Sequence, residues 1–286
     1  MPRCFFVSDL HGRTSRYLKL RAQIAEEKPT AVFLGGDLLP PPQAISPEFG
    51  GEKDFINGFL APEFEQLRLQ LGSAYPRIFL ILGNDDYRFA EPSILDHAAR
   101  ELWEYAHDRR IDFGSYSVYG YAYSPPSPLI LKDWEKYDVS RFVDPGCVSP
   151  EEGRRTVPVA ASLVKYGNIA NDLKLLAGDD DLKQAIFLMH TPPYQTTLDR
   201  AALDGRTVDH VPLDVNIGSI AVRRFIETRQ PLVTLHGHVH ESARLTGAWQ
   251  DRIRQTICFS AAHDGEELAL IRFDPDCPEK AIRELV

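Results

Sequence analysis

Apolar residues along this chain come in short runs of about five, each closed by a glycine or by acidic, amide or imidazole side chains. The runs are Cys4-Phe5-Phe6-Val7, Ala31-Val32-Phe33-Leu34, Ile78-Phe79-Leu80-Ile81-Leu82, Ala185-Ile186-Phe187-Leu188-Met189 and Leu232-Val233-Thr234-Leu235. They lack the polar alternation of a half-exposed strand, so each reads as a strand buried on both faces. Thr256–Ser260 and Leu268–Phe273 add two more, and the Tyr-rich stretch Tyr116–Tyr121 another. Helical spacing predicts helices near 15–27, 62–71, 93–105, 159–177 and 219–228, the first stopped by Pro29. Strand, helix and strand joined by short connections are the signature of a parallel unit. Two stretches fit neither period. Residues 40–62, with Pro40-Pro41-Pro42 and Gly50-Gly51, read as a long loop or lid, and 122–158 as a functional loop rich in Trp and Tyr. No internal repeat or linker stands out, so one domain over 1–286 is the expectation.

What closes the strands carries the chemistry. The first ends in Ser8-Asp9-Leu10-His11, the second in Gly35-Gly36-Asp37, the third in Gly83-Asn84-Asp85-Asp86. The fifth of the buried runs above passes into His236-Gly237-His238-Val239-His240, and the one before it ends on His190-Thr191-Pro192-Pro193. In a parallel-rich sheet these ends share an edge, where α/β proteins bind ligands. Carboxylate, amide oxygen and imidazole without thiolate suit divalent ions of octahedral preference. A two-metal site needs one shared ligand, and Asp37 is the candidate.

Composition narrows the partners. A net charge of -9 argues against a nucleic-acid polymer or an anionic membrane, because both select a basic face. A small phosphorylated substrate held through metal ions is unaffected by that charge. The apolar run at the N-terminus is too short for a signal peptide, and no stretch reaches about 18 apolar residues. Four scattered cysteines read as reduced thiols, and the expected setting is soluble and cytoplasmic.

Taken in order, Asp9-x-His11, Gly36-Asp37, Gly83-Asn84, His190 and Gly237-His238-x-His240 resemble the motif series of the calcineurin-like metallophosphoesterase superfamily. The resemblance implies an α/β fold of four layers, an αββα sandwich of two mixed sheets flanked by helices. It implies two divalent ions, with Mn²⁺ the first expectation and Fe/Zn or Ni²⁺ also compatible. Asp9, His11, Asp37 and His240 would hold one ion, and Asp37, Asn84, His190 and His238 the other. His236 falls outside the ligand pair and is expected to be structural. The implied reaction is phosphoester hydrolysis, with phosphodiesterase and phosphatase both open. A non-catalytic metal-binding scaffold of the same fold is the rival, and a nuclease lacks the basic groove it would need.

One motif departs from the family. Asp85 stands where a histidine usually protonates the leaving group, and Asp86 follows where an acid orients it. Nearby cations favour an ionised Asp85, while the adjacent Asp86 opposes that. Either a slower enzyme or a preference for good leaving groups follows. Arg13 and Arg88 are candidate phosphate binders. Tyr121, Tyr123, Trp134 and Tyr137 are candidate stacking residues on the pocket loops. His263 is expected to be structural, and His97, His107 and His210 to be surface residues.

Overall fold

The structure, a computed structural model, describes residues 4–41 and 54–286. In chain order the elements are β1 (Cys4–Val7), α1 (Thr14–Glu27), β2 (Ala31–Gly35), α2 (Ala61–Leu71), β3 (Arg77–Ile81), α3 (Glu91–Ala99) and β4 (Glu104–Tyr105). Next come β5 (Arg109–Phe113), β6 (Tyr116–Tyr121), α4 (Ala161–Tyr166), α5 (Ile169–Ala177) and β7 (Ala185–Met189). A small hairpin, β8 (Thr207–Val208) and β9 (Val211–Pro212), precedes α6 (Ile220–Arg229) and β10 (Val233–His236). The chain finishes with α7 (Ser242–Thr246), β11 (Gln250–Ile253), β12 (Thr256–Ser260), β13 (Ala269–Phe273) and β14 (Ile282–Leu285).

Two six-stranded mixed sheets result. The first runs β14-β13-β1-β2-β3-β4 and the second β11-β12-β10-β7-β6-β5. In the first, β1 to β4 are parallel and β13 is antiparallel to both of its neighbours, β1 and β14; in the second, β12, β10, β7 and β6 are parallel and both edges antiparallel. The sheets meet through aromatic rings. Phe113 of the second sheet lies edge-on to Phe79 of the first at 5.6 Å, and Phe259 meets Phe273 at 5.8 Å. Outside the first sheet, Arg272 of β13 binds Gln23 and Glu27 of α1. Outside the second, Phe225 of α6 packs on Phe187 of β7 at 5.0 Å. The expected sandwich of two mixed sheets between helices is therefore the fold, and its central strands are buried along their whole length.

Several local expectations need correction. The helix expected over 93–105 stops at Ala99, and Glu104-Tyr105 instead pairs with β3 as an edge strand. There Trp103 is buried, with its indole N–H on Ile94 O, so tertiary burial overrides helical spacing. The helix expected over 159–177 is two helices, because Asn168 turns extended and caps α5 by accepting the Asn171 N–H. Helix α2 is entered through a wide turn over Ile56–Leu60, inside the stretch expected to be loop. Residues 42–53 of that lid lie outside the described residues. Strands β5, β11 and β14 were not anticipated; all three are edge strands with mostly polar, solvent-facing positions.

Candidate metal centre

Parallel pairing brings the strand ends together before any side chain acts. Val7 is level with Leu34, and Gly35 with Ile81, so the loops leaving β1, β2 and β3 start side by side. Backbone bonds then tie them: Asp9 N–H donates to Gly36 O at 3.0 Å and His11 N–H to Asp37 O at 2.8 Å. In the second sheet Gly237 N–H donates to His190 O at 2.8 Å. The two sheets are joined at this edge by His190 Nδ1 against Gly35 O at 2.8 Å, and by the His238 N–H donating to the Asp9 carboxylate at 3.0 Å. The first sheet thus supplies Asp9, His11, Asp37 and Asn84, and the second His190, His238 and His240.

All seven residues expected as ligands converge. One ligand atom from each of Asp9, His11, Asp37 and His240 lies within 4.8 Å of the others. Within that cluster His240 Nε2 is 3.0 Å from His11 Nε2 and 3.2 Å from Asp9 Oδ1. Beside it, Asn84 Oδ1 is 2.9 Å from His190 Nε2 and 2.7 Å from His238 Nδ1. Asp37 joins the two groups, with Oδ2 3.2 Å from His190 Nε2.

Local backbone and electrostatics fit a cationic occupant. Asp9, His11, Asp37 and His238 all hold left-handed φ values, 57°, 47°, 52° and 75°, although none is glycine. Such conformations cost about 1 kcal/mol or more each and persist where surroundings over-determine them. A Cβ at Gly83 would run into Asp37 Oδ1, and one at Gly237 into Ser8 Oγ and Asp9 Oδ2, so both glycines are needed for close approach. Burial works to raise the Asp9 and Asp37 pKa values. The His240 hydrogen bond and charge outweigh it at Asp9, His190 does so at Asp37, and both end lowered, Asp9 well below the usual carboxylate range. Burial works in turn to lower the histidines. Asp37 overrides it at His190, raised to about 10, and Asp9 at His240, raised to about 9. Buried carboxylates that must be matched by protonated imidazoles form a site calling for positive charge. Oxygen and nitrogen donors without sulfur fit hard or borderline divalent ions.

Asp85 lies over this cluster, about a third exposed, with Oδ2 3.7 Å from His11 Nδ1 and its backbone N–H donating to Asp37 Oδ1 at 2.8 Å. Burial first and then Asp37 push its carboxyl up to about 7; the expected opposition from adjacent Asp86 is not among the main causes. Asp86 has a different setting from the expected catalytic one. It is fully buried, and its two oxygens accept the N–H groups of Leu38, Leu39 and Gly83 at 3.1, 2.7 and 2.9 Å. It stitches the loops after β2 and β3 together.

The expected substrate residues each have protein partners of their own. Arg13 is on an exposed rim, donating to Gly265 O at 3.1 Å and 3.6 Å from Glu266. Arg88 is engaged by Glu91 and by the Tyr123 hydroxyl at 3.0 Å, and lies over the Trp134 ring. It lines a polar cavity of about 220 Å³ that none of the seven converging residues borders. The candidate stacking residues Tyr121, Tyr123, Trp134 and Tyr137 are at most 7% exposed, so they build the core of the 122–158 segment. His97 is not a surface residue, and His107 is half-buried. His97 is 6% exposed against Asn57, and His107 is enclosed by Tyr121, Tyr123 and Trp134 with Nδ1 accepting the Ala122 N–H. His210 is exposed as expected. His263 pairs with Glu267 at 3.0 Å, and His236 is buried between Thr191 O and Thr234 Oγ1, both structural settings.

Sequence reasoning missed Arg16. It is 3% exposed, and its guanidinium donates to Asp9 O and Gly265 O, both at 2.6 Å, holding the first ligand loop from beneath. Two residues before Leu18 on an amphipathic helix, it looks like a surface arginine, and only its proximity to the Asp9-x-His11 loop hinted otherwise.

A family model described as calcineurin-like phosphoesterase matches residues 2–242. None of the curated protein sequences compared with the chain matches it. Among solved structures the chain is similar to the protein TT1561 of Thermus thermophilus, at 18% identity and a TM-score of 0.54, covering 100% of this chain and 99% of that one. It is also similar to a dimetal phosphatase from Danio rerio, at 13% identity and a TM-score of 0.50, covering 96% and 93%. These likenesses are of fold. The family uses divalent metals and hydrolyses phosphoesters, and no helix among the described residues is long and apolar enough to cross a membrane. With its candidate metal cluster at Asp9, His11, Asp37 and His240, the chain belongs to the calcineurin-like phosphoesterase family.

Proposed function

We propose that the protein is a two-metal phosphoesterase acting on a small phosphodiester, or on a monoester with a good leaving group. The observation that carries this reading is the position of Asp37. It belongs to the cluster of Asp9, His11 and His240, and also lies 3.2 Å from His190 in the neighbouring group of Asn84 and His238. Asp9, His11 and His240 would hold one ion, Asn84, His190 and His238 the other, with Asp37 shared. Two divalent ions so held, Mn²⁺ by first choice, would lower the pKa of bound water and would offset charge on the phosphate oxygens. The Danio rerio relative, described as a dimetal phosphatase, agrees with that count.

The chain's own residues orient this chemistry. His190 Nδ1 is fixed by Gly35 O, which leaves Nε2 as the nitrogen for coordination. Arg16 and Asp86 secure the Asp9, Asp37 and Asn84 loops by gripping backbone. Asp85 is partly open to solvent, and its carboxyl accepts from the Asn84 side-chain amide rather than being tied to backbone. It would hold or position the proton that the leaving oxygen takes. A carboxyl beside divalent cations loses its proton more readily than an imidazolium, which favours leaving groups that need little protonation.

The test is hydrolysis of bis-p-nitrophenyl phosphate and p-nitrophenyl phosphate by chelated protein reloaded with Mn²⁺, beside His238→Ala. Turnover that depends on metal and is lost in the variant supports the reading, and the ratio of the two rates separates diesterase from monoesterase. Equal rates with and without metal would overturn it.

A further inference from the structure

From His238 a groove of about 380 Å³ runs outward between two loop regions, residues 125–147 and 194–220. Its apolar wall is made by Val139, Phe142, Val143, Leu203, Leu213 and Ile217. Phe142 is 70% exposed and Ile217 37%, apolar surface in a groove shared with His238 that a ligand would cover. The ionisable side chains along it are chiefly acids, Asp138, Asp144, Asp214 and Glu241, and no lysine or arginine lines it among the described residues. Three of these acids are already engaged. Asp138 accepts from Ser219 Oγ and the Ile220 and Ala221 N–H groups; Asp214 from the Tyr194 hydroxyl at 2.5 Å and the Asn216 N–H; and Glu241 from the Ala202 N–H.

The walls are formed in advance. A fully buried Lys132–Glu135 ion pair grips the Pro125–Pro128 turn, with Glu135 accepting Ser127 N–H and Oγ and Lys132 Nζ donating to Ser127 O. Across the groove buried Asp199 gathers the N–H groups of Gln195, Thr196 and Gly218 and the Asn216 side chain. A rigid groove of this kind is ready to bind without an ordering penalty.

We infer that the groove binds the organic part of the phosphoester, and that this part is apolar and carries no negative charge: an aryl or branched alkyl group rather than a further phosphate or a carboxylate. This rests on the two-metal reading, since His238 belongs to both. Beyond the ions, a second anionic group would meet four carboxylates and no lysine or arginine, so nucleoside di- and triphosphates are disfavoured by charge. The apolar lining gains by covering.

Calorimetric titration of the Mn²⁺-loaded protein with methylphosphonate and phenylphosphonate tests this without turnover. Burying the ring should tighten binding about tenfold over methyl. Phe142→Asn and Ile217→Asn, both at partly exposed positions and adding no charge, should bring that ratio close to one and leave the affinity for methylphosphonate, whose methyl is too short to cover the groove wall, unchanged, which also reports a folded site. On chelated protein, neutral N-phenyl-1-naphthylamine should fluoresce more strongly with the native chain than with either variant. Equal phosphonate affinities in the native chain, or equal probe fluorescence in all three proteins, would overturn the inference. Failure of the two-metal reading is told apart by phosphonate binding indifferent to Mn²⁺ with the probe result intact; that outcome overturns the assignment of a phosphoester to the groove.

Discussion

The metal centre and the groove beside it share His238 but are built on opposite plans. The centre takes its residues from the ends of five buried strands, so hydrogen-bonded register sets where each ligand loop starts. The groove takes its residues from loops, and hydrogen-bonded acids replace sheet register as the means of fixing it: buried Glu135 under the Pro turn, half-buried Asp138 at the start of α6, buried Asp199 in the 194–218 loop. The centre is polar, and its carboxylates are matched by imidazoles; the groove is apolar, with acids and no cations. On the proposed reading, reaction chemistry would be housed in the sheet edge, and selection of the substrate would be left to loops that can vary without disturbing it.

Substitutions can disable either half separately. The largest effect is expected at the shared carboxylate. Asp37→Asn should lower metal-dependent hydrolysis by on the order of a thousandfold or more, with circular dichroism unchanged, because both ions lose a ligand charge. A loss below tenfold would mean that Asp37 is not shared. Lys132→Met attacks the groove's support instead. It leaves Glu135 buried without its partner, at a cost of about 3–5 kcal/mol in denaturant unfolding. Metal stoichiometry should survive if the two regions are independent. Asp86→Asn exchanges a three-amide acceptor for a group with one acceptor oxygen, and should weaken metal binding about 10- to 100-fold by loosening the ligand loops. A pure loss of turnover at unchanged metal affinity would instead make Asp86 catalytic.

Two smaller effects separate the regions further. Asp85→His should raise turnover on alkyl phosphates several-fold relative to p-nitrophenyl esters, since an imidazolium is the better proton donor near neutral pH. An unchanged ratio would show that Asp85 does not govern leaving-group protonation. His107 tests the loop core. Burial, and then the charges of Lys136, Arg88 and Arg109, lower its pKa from 6.5 to about 3. Because the folded pKa is depressed, the unfolded chain binds the extra proton between those values. The stability contribution is therefore full above pH 6.5 and is lost as pH falls toward 3, by up to about 1.4 kcal/mol per pH unit. His107→Gln should flatten the acid limb of stability against pH, and parallel limbs would contradict the assignment.

The same contrast explains what the sequence made legible. Strand ends close on candidate ligands only one to three residues from the last sheet position, so Asp9, Asp37, Asn84, His190 and His238 could be read from local pattern and motif order. The groove could not. Phe142 and Ile217 are 75 positions apart and look like ordinary loop residues, and Tyr123 and Trp134, which look like a stacking platform, are core. Edge strands such as β5 and β14 were invisible because half-exposed strands carry charged residues that blur alternation. Arg16 and Asp86 act on backbone groups distant in sequence, an arrangement no spacing rule encodes.

The most direct test of the two-metal claim is the amount of Mn²⁺ bound at equilibrium by chelated protein, native and Asp37→Asn, measured by elemental analysis after gel filtration. Two ions per native chain, with the second lost and the first weakened in the variant, is the expected result. One ion per native chain, or two that are indifferent to Asp37, would contradict it.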